Sequence, residues 1–283
     1  MGLLQEKMRR DIRIRGLSQR TENHYIRNMI AFTRYFGISP DKLNLEHILQ
    51  FQEHLVGKGL SSQSVNLAVA SIRFFYLITL KKDWGKEAIP RMKVRRVLPV
   101  ILSPSEIATI FNGVENLKHR AIFATIYSAG LRVSEATHLA AKDIDSQRGV
   151  IHVRFGKGMR ERYTLLSAVL LPLLRTYWKE SKENKSIWLF PSHDPKIPIN
   201  QATVRKAFVR AVEKSGIQKK VNLHSMRHSF ATHLLEARVD LRYIQCLLGH
   251  ATIASTTIYT HMRDVKALGI ISPLDAVATK LTW

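Results

Sequence analysis

The stretch GVIHVRFGKGMRERYTLL, Gly149 to Leu166, decides the fold class. Along GVIHVRF and again along ERYTLL, apolar and polar residues alternate, the repeat of a strand with one buried face. Gly156, Gly158 and Met159 lie between the two runs, so the segment reads as a β-hairpin with Lys157 at its exposed tip. Nearly everything on either side repeats every three to four residues instead. The expected architecture is mainly α with a small β-sheet, an α+β fold.

Upstream of the hairpin, SPSE begins at Ser103. It combines an N-cap serine, proline at the first helical position and glutamate three residues after the cap, so a new folded unit starts there. Helical spacing continues to about Leu139, broken near Gly130. Downstream, helices are predicted at about 167–180, 201–215 after Asn200, 224–237, 241–248 after Asp240 and 253–262. The first ninety residues carry four apolar stripes: Leu4, Met8 and Ile12; Tyr25, Met29, Phe32 and Phe36 before Gly37; Ile48, Phe51 and Leu55; and Val65, Val69, Ile72 and Tyr76 after Ser61. These read as core. The polar faces carry Arg20, Arg27, Arg34 and Arg73, within reach of phosphates. Between the units, GKEAIPRMKVRRVLPVIL (85–102) has no helical period. It reads as an extended polybasic linker carrying Lys93, Arg95 and Arg96, able to lie along DNA. The organisation expected is a helical domain over 1–90, a linker over 91–102, a second domain over 103–270 and a tail over 271–283.

Composition narrows the partners. The 283 residues are 45% hydrophobic, enough for packed cores, yet they carry 44 Lys+Arg against 22 Asp+Glu, a formal net charge of +22. The excess is spread over both halves of the chain, which suits a protein that surrounds a polyanion. The one cysteine, Cys246, excludes an intrachain disulfide framework and reads as a buried thiol in a reducing compartment. No apolar run approaches the roughly 18 residues of a membrane span. LLSAVLLPLL (Leu165 to Leu174) is short and contains Pro172, and the charged N-terminus does not resemble a signal peptide. A soluble, cytoplasmic, nucleoid-associated protein with no membrane partner is expected.

Five basic groups recur in short motifs: Arg132 in GLRVSE, Lys157 at the hairpin tip, His224 and Arg227 in LHSMRHSFATH, and His250 in LLGHATIASTTIYTH. Two arginines, a lysine and two imidazoles suit an anionic phosphate. His224 and Arg227 are three apart and share a helix face, with Phe230 and Leu234 placed to anchor it. Glu135, three residues after Arg132, can pair with an arginine and hold it. His224, His228 and His233 superficially suggest a metal site, but no acidic ligand accompanies them, so none is assigned. His228 and His233 read as structural. Residues alone lead to a phosphate-binding site in a DNA-binding protein. They would leave Tyr259 as a core tyrosine.

The order of these pieces carries more. Arginine, then lysine in a β-hairpin, then His-x-x-Arg on a helix, then Gly-His, then tyrosine resembles the tyrosine recombinase (phage integrase) family over essentially residues 1–270. The resemblance implies a helical core-binding domain that clamps DNA together with a catalytic domain. It implies that Tyr259 attacks the scissile phosphodiester and forms a 3′-phosphotyrosine link, releasing a 5′-hydroxyl. Lys157 would protonate that leaving oxygen. Arg132 and Arg227 would clamp the non-bridging oxygens, with Glu135 in support. His224 and His250 would hydrogen-bond the phosphate, His224 being a candidate to take the tyrosine proton. No cofactor or metal is implied, and no ATP; the chain has no P-loop motif.

The implied substrate is double-stranded DNA with paired inverted-repeat core sites, bound by a dimer at each site and a homo-tetramer on two. The reaction would be integration, excision or resolution of mobile DNA. Two alternatives stand beside it: a nicking-closing enzyme like a type IB topoisomerase, and a non-catalytic DNA-binding protein. SPLD in the tail resembles integron integrases, but the stretch from Lys157 to His224 looks too short for the insertion those enzymes use. Leu274, Val277 and Leu281 would suit docking either on a neighbouring subunit or within the same chain.

Overall fold

The computed structural model describes residues 2–82, 85, 88–94, 98–154, 161–181, 186–249 and 271–282. The chain divides into two compact units between Val97 and Leu98. Each is built mainly of helices, and the second adds one small sheet.

The first unit contains α1 (Gly2–Ile14), α2 (Gln19–Phe36), α3 (Leu45–Gly57) and α4 (Ser62–Phe74), which runs on into a π-helical turn at Phe75–Thr79. Ser18 and Ser61 start α2 and α4 by accepting hydrogen bonds from the amides of Thr21 and Ser64. Met8, Ile12, Met29, Phe32, Ile48, Phe51, Val69, Ile72 and Tyr76 form one core. Phe32 is its hub, meeting Phe51 and Phe36 edge-on with ring centroids 5.2 and 5.5 Å apart. The aromatic stripes are thus packing elements. The stretch read as a linker is tied down where it begins. Gln52 donates to the Pro90 carbonyl at 2.9 Å, and Asn66 exchanges two hydrogen bonds with the Met92 backbone.

The second unit opens at Ser103, which caps α5 (Pro104–Asn112) in a full capping box with Glu106. Helix α6 (Leu117–Ala129) is buried continuously from Ala121 to Ala129. An element apolar on every side belongs at a domain centre, and α6 packs against α8 (Leu170–Glu180), α9 (Gln201–Lys214), α10 (Leu223–Glu236) and α12 (Pro273–Ala276). Helix α8 starts three residues later than its apolar pattern suggests. The Ser167 hydroxyl accepts from the amides of Val169 and Leu170, which sets the first turn there. The remaining helices are α7 (Val133–Thr137) and α11 (Leu241–Leu248). Strands β2 (Val150–Val153) and β3 (Arg162–Leu165) pair antiparallel, Val150 opposite Leu165 and Val153 opposite Arg162. A third strand, β1 (Ile144–Asp145), extends the sheet beside β2. Two residues are too few to show alternation, so sequence reading passes over it. The helix predicted at 253–262 lies outside the described residues.

The tail packs on the second unit. Leu274 and Val277 are buried in the second unit's own core. The Ser272 hydroxyl donates to the Ser128 carbonyl at 2.8 Å, and Asp275 accepts from the Ser167 hydroxyl and, at 3.0 Å, from the Val169 amide. Asn112 exchanges hydrogen bonds with Lys280 and Thr282. No helix among the described residues is long and apolar enough to cross a membrane.

Candidate active site

The site begins where α6 ends. Gly130 turns the chain with φ +61°, and a Cβ there would stand 2.5 Å from the Phe230 ring. Only glycine lets α10 come this close at that backbone angle. Buried Leu131 follows, and Arg132 takes the cap position of α7. Glu135 then accepts from the Arg132 amide at 2.8 Å and from its Nη1 at 2.7 Å. The helix start and the arginine's orientation are set by one carboxylate.

Arg227 arrives from α10. Asn222 caps that helix, and buried Phe230 and Leu234 lock its inner face into the core. Arg227 is 2% exposed. Its Nη1 donates to the Gly130 carbonyl at 2.7 Å and lies 3.6 Å from Glu135, while Nη2 donates to the Leu248 carbonyl at 2.6 Å. His224 lies on the first turn of α10 and is exposed, its amide held by Asn222. His228 meets it edge-on at 4.5 Å, and burial followed by the Arg227 charge lowers its pKa. His233 is bonded through Nδ1 to the Tyr127 hydroxyl at 2.8 Å, and burial holds its pKa down. These two imidazoles serve packing.

A third arginine completes the cluster and was not singled out from the sequence. Arg162, at the start of β3, donates from Nη1 and Nη2 to Glu135 at 3.0 and 2.8 Å, and from Nε to the Leu247 carbonyl at 2.7 Å. Its side chain is 9% exposed. In ERYTLL the apolar residues Tyr163 and Leu165 suggest the inward face, which would put Arg162 and Thr164 in water. Yet Thr164 is fully buried and donates to the Ala129 carbonyl at 2.8 Å. The sheet is covered on both faces here, so alternation misassigns Arg162. An arginine in register with a buried threonine would have been the signal.

Three guanidiniums therefore surround one buried carboxylate, an excess of two positive charges. Burial pushes the Glu135 carboxyl upward, but hydrogen bonds and charge from Arg162, then Arg132, outweigh it and hold the pKa below the ordinary range. Arg227 is lowered too, but there the shift disfavours the charged form. Burial first, then the Arg132 charge, lowers it to about 9. It stays cationic at neutral pH, and its carboxylate neighbour, Glu135 at 3.6 Å, is shared with Arg132 and Arg162. Such a surplus of preorganised donors is what phosphoryl chemistry uses to stabilise developing charge.

The structure brings Arg132, Glu135 and Arg227 together, with His224 on the same helix as Arg227. Lys157, His250 and Tyr259 lie outside the described residues, as do Arg95 and Arg96. Strands β2 and β3 flank 155–160, and Gly249 ends α11 directly before His250. In the first unit, Arg20, Arg27 and Arg34 are exposed along α2 two turns apart, Lys93 is exposed, and Arg73 is half-buried on α4. Cys246 is partly buried, which pushes its thiol pKa up.

Comparison with known proteins agrees with this geometry. The phage integrase family signature matches residues 101–266, and that of the phage integrase N-terminal SAM-like domain matches 4–86. The Sinorhizobium fredii protein y4qK, named for an integrase/recombinase, is 42% identical over 97% of this chain and 89% of its own length. Tyrosine recombinase XerA of Thermococcus kodakarensis is 35% identical, with 84% of each chain covered. Among solved structures, a lambda integrase tetramer bound to a Holliday junction shares the fold, with a TM-score of 0.68 at 17% identity over 91% of this chain and 80% of that one. With both units matched by family signatures and by relatives over most of their length, the chain belongs to the phage integrase family, the tyrosine recombinases that catalyse DNA strand exchange.

Proposed function

We propose that this protein is a site-specific recombinase that cuts and rejoins duplex DNA through a 3′-phosphotyrosine intermediate. The observation that carries the reading is the convergence of Arg132 and Arg227, with Arg162, on the single buried carboxylate of Glu135. In this reading the scissile phosphate is the anion that joins them. Arg132 and Arg227 clamp its non-bridging oxygens as charge builds in the transition state. Tyr259 is the nucleophile: its phenolic oxygen forms the new P–O bond as the bond to the 5′ oxygen breaks. Lys157 gives that leaving oxygen its proton, while His224 and His250 hydrogen-bond the phosphate, His224 accepting the tyrosine proton. A phenol titrates near pH 10 in water, so its proton must be removed during attack or its pKa lowered by these cations. The link conserves the phosphodiester, and rejoining is the reverse transfer.

The first unit, with Arg20, Arg27, Arg34 and Arg73, and the basic stretch with Lys93, Arg95 and Arg96, grip the duplex on this account, the core-binding half of a clamp over 1–90 and 91–102 against a catalytic domain over 103–270. Paired inverted-repeat sites, a dimer at each and a tetramer across two, are supported by the tetramer in which lambda integrase holds a Holliday junction. A cytoplasmic, nucleoid-associated enzyme follows from that substrate.

The test is a nicked suicide duplex, built on a core sequence that the protein selects from random duplex DNA. The wild type is expected to accumulate a covalent protein–DNA adduct. Tyr259→Phe is expected to bind the duplex normally and form none; an adduct in that variant removes the nucleophile assignment. Lys157→Ala is expected to cleave slowly and to recover with a 5′-thiolate leaving group, which needs no acid. A two-site recombination assay beside a supercoil-relaxation assay separates this reading from a topoisomerase-like one.

A further inference from the structure

We propose that Arg162 is a positioning residue for strand cleavage: by bridging Glu135 and the Leu247 carbonyl, it sets where Arg132 and Arg227 present their guanidiniums. The proposal rests on the recombinase reading above.

The geometry uses the planar fork of the guanidinium in full. Nη1 and Nη2 grip both Glu135 oxygens, and Nε takes the Leu247 carbonyl at 2.7 Å. A bidentate grip fixes the plane of a carboxylate as well as its place. Glu135 passes that orientation to Arg132 through two hydrogen bonds. The other end of the bridge bears on Arg227. Leu247 and Leu248 are adjacent at the end of α11, and their carbonyls go to Arg162 and Arg227 respectively. Both arginines thus take register from one helix terminus, whose negative dipole end favours cations. The backbone there is shaped around Arg162. Gly249 has φ +64°, and a Cβ on it would stand 2.9 Å from Arg162 Cδ. Strand β3, helix α7 and the end of α11 meet through this one side chain. A lysine would keep the charge but lose the planar fork that holds both Glu135 oxygens while Nε takes the Leu247 carbonyl.

The experiment measures single-turnover adduct formation on the nicked suicide duplex described above, with duplex affinity and melting temperature recorded alongside. Arg162→Lys is expected to bind duplex within about threefold of wild type and to cleave about 10²-fold slower, the scale of a misplaced clamp. Glu135→Asp is expected to slow cleavage as well. The double variant is expected to be no slower than the slower single one, because both act on one linkage. Arg162→Lys cleaving at the wild-type rate overturns the proposal, and so do two losses that multiply. A rate loss that vanishes on assay well below the melting temperature assigns Arg162 to stability alone and also overturns it. No adduct from the wild type, or an adduct from Tyr259→Phe, instead defeats the recombinase reading beneath it.

Discussion

Each unit of this protein buries one glutamate against arginines, and the two clusters differ in how their charge balances. In the first unit Glu22 is gripped by Arg9 at 2.6 Å and Arg13 at 3.0 Å, tying α1 to α2. Arg13 is 63% exposed, and Glu6 lies 3.7 Å from Arg9. Water and a second carboxylate finish the neutralisation. In the second unit Glu135 faces Arg132, Arg162 and Arg227, two of them almost wholly buried, and among the described residues Glu135 is the one carboxylate they share. The first cluster is complete without a partner. The second carries more guanidinium than carboxylate charge among the described residues. A balanced buried pair holds helices together, whereas an unbalanced one marks a site prepared for a ligand.

The comparison can be broken most directly at its two carboxylates and at Arg227. Glu135→Gln leaves three arginines repelling one another, and we expect a loss of about 3–5 kcal/mol of stability, the usual consequence of removing one partner of a buried ion pair; chemical denaturation measures it. Arg227→Lys should lower the cleavage rate by about 10²–10³, the typical loss of one preorganised donor, with duplex affinity nearly unchanged in a binding titration. Anions should tell the units apart. At about a hundred times its Kd, sulfate bound between Arg132 and Arg227 would add about 2.7 kcal/mol by linkage. Hydrogen exchange should show that protection in the second unit only, beyond chloride at equal ionic strength, and Arg132→Met should remove it. Protection shared equally by both units would erase the distinction drawn here.

The smallest expected effect is Glu22→Gln, about 1 kcal/mol of stability, with the cleavage rate of folded protein unchanged. Its pH dependence is specific. Hydrogen bonds from Arg13 and then Arg9 pull the Glu22 carboxyl down to about 2, against about 4.3 in an unfolded chain. Its stabilisation is therefore present above pH ~4.3 and is lost as pH falls through that window toward 2. Glu135, also depressed, has the same sign. Acid titration of stability in Glu22→Gln should lose the Glu22 share and keep that of Glu135.

Much of the fold was legible because it is local. Ser61 and Ser103 cap helices through bonds to amides three residues away, and the stripes through Met8, Phe32, Phe51 and Ile72 became one core. Where local signals were weak the reading slipped. Strand β1 was missed for its length, and the first turn of α8 was displaced by Ser167. The chemical motifs were found by type and order: Glu135 was placed beside Arg132, and Arg227 on the helix of His224. Arg162 was not found, because a strand with both faces covered breaks the rule that alternation marks the side in contact with water.

Sequence alone determined most of the helices, the caps at Ser61 and Ser103, the central hairpin and the basic character, since each rests on residue type or on spacings within one turn or one strand. Tertiary structure alone decided which charges share a carboxylate. Glu135, Arg162, Arg227 and the carbonyls of Gly130, Leu247 and Leu248 come from five different segments. Coulomb energy and hydrogen bonding depend on distances in space, and no periodicity along a chain encodes those.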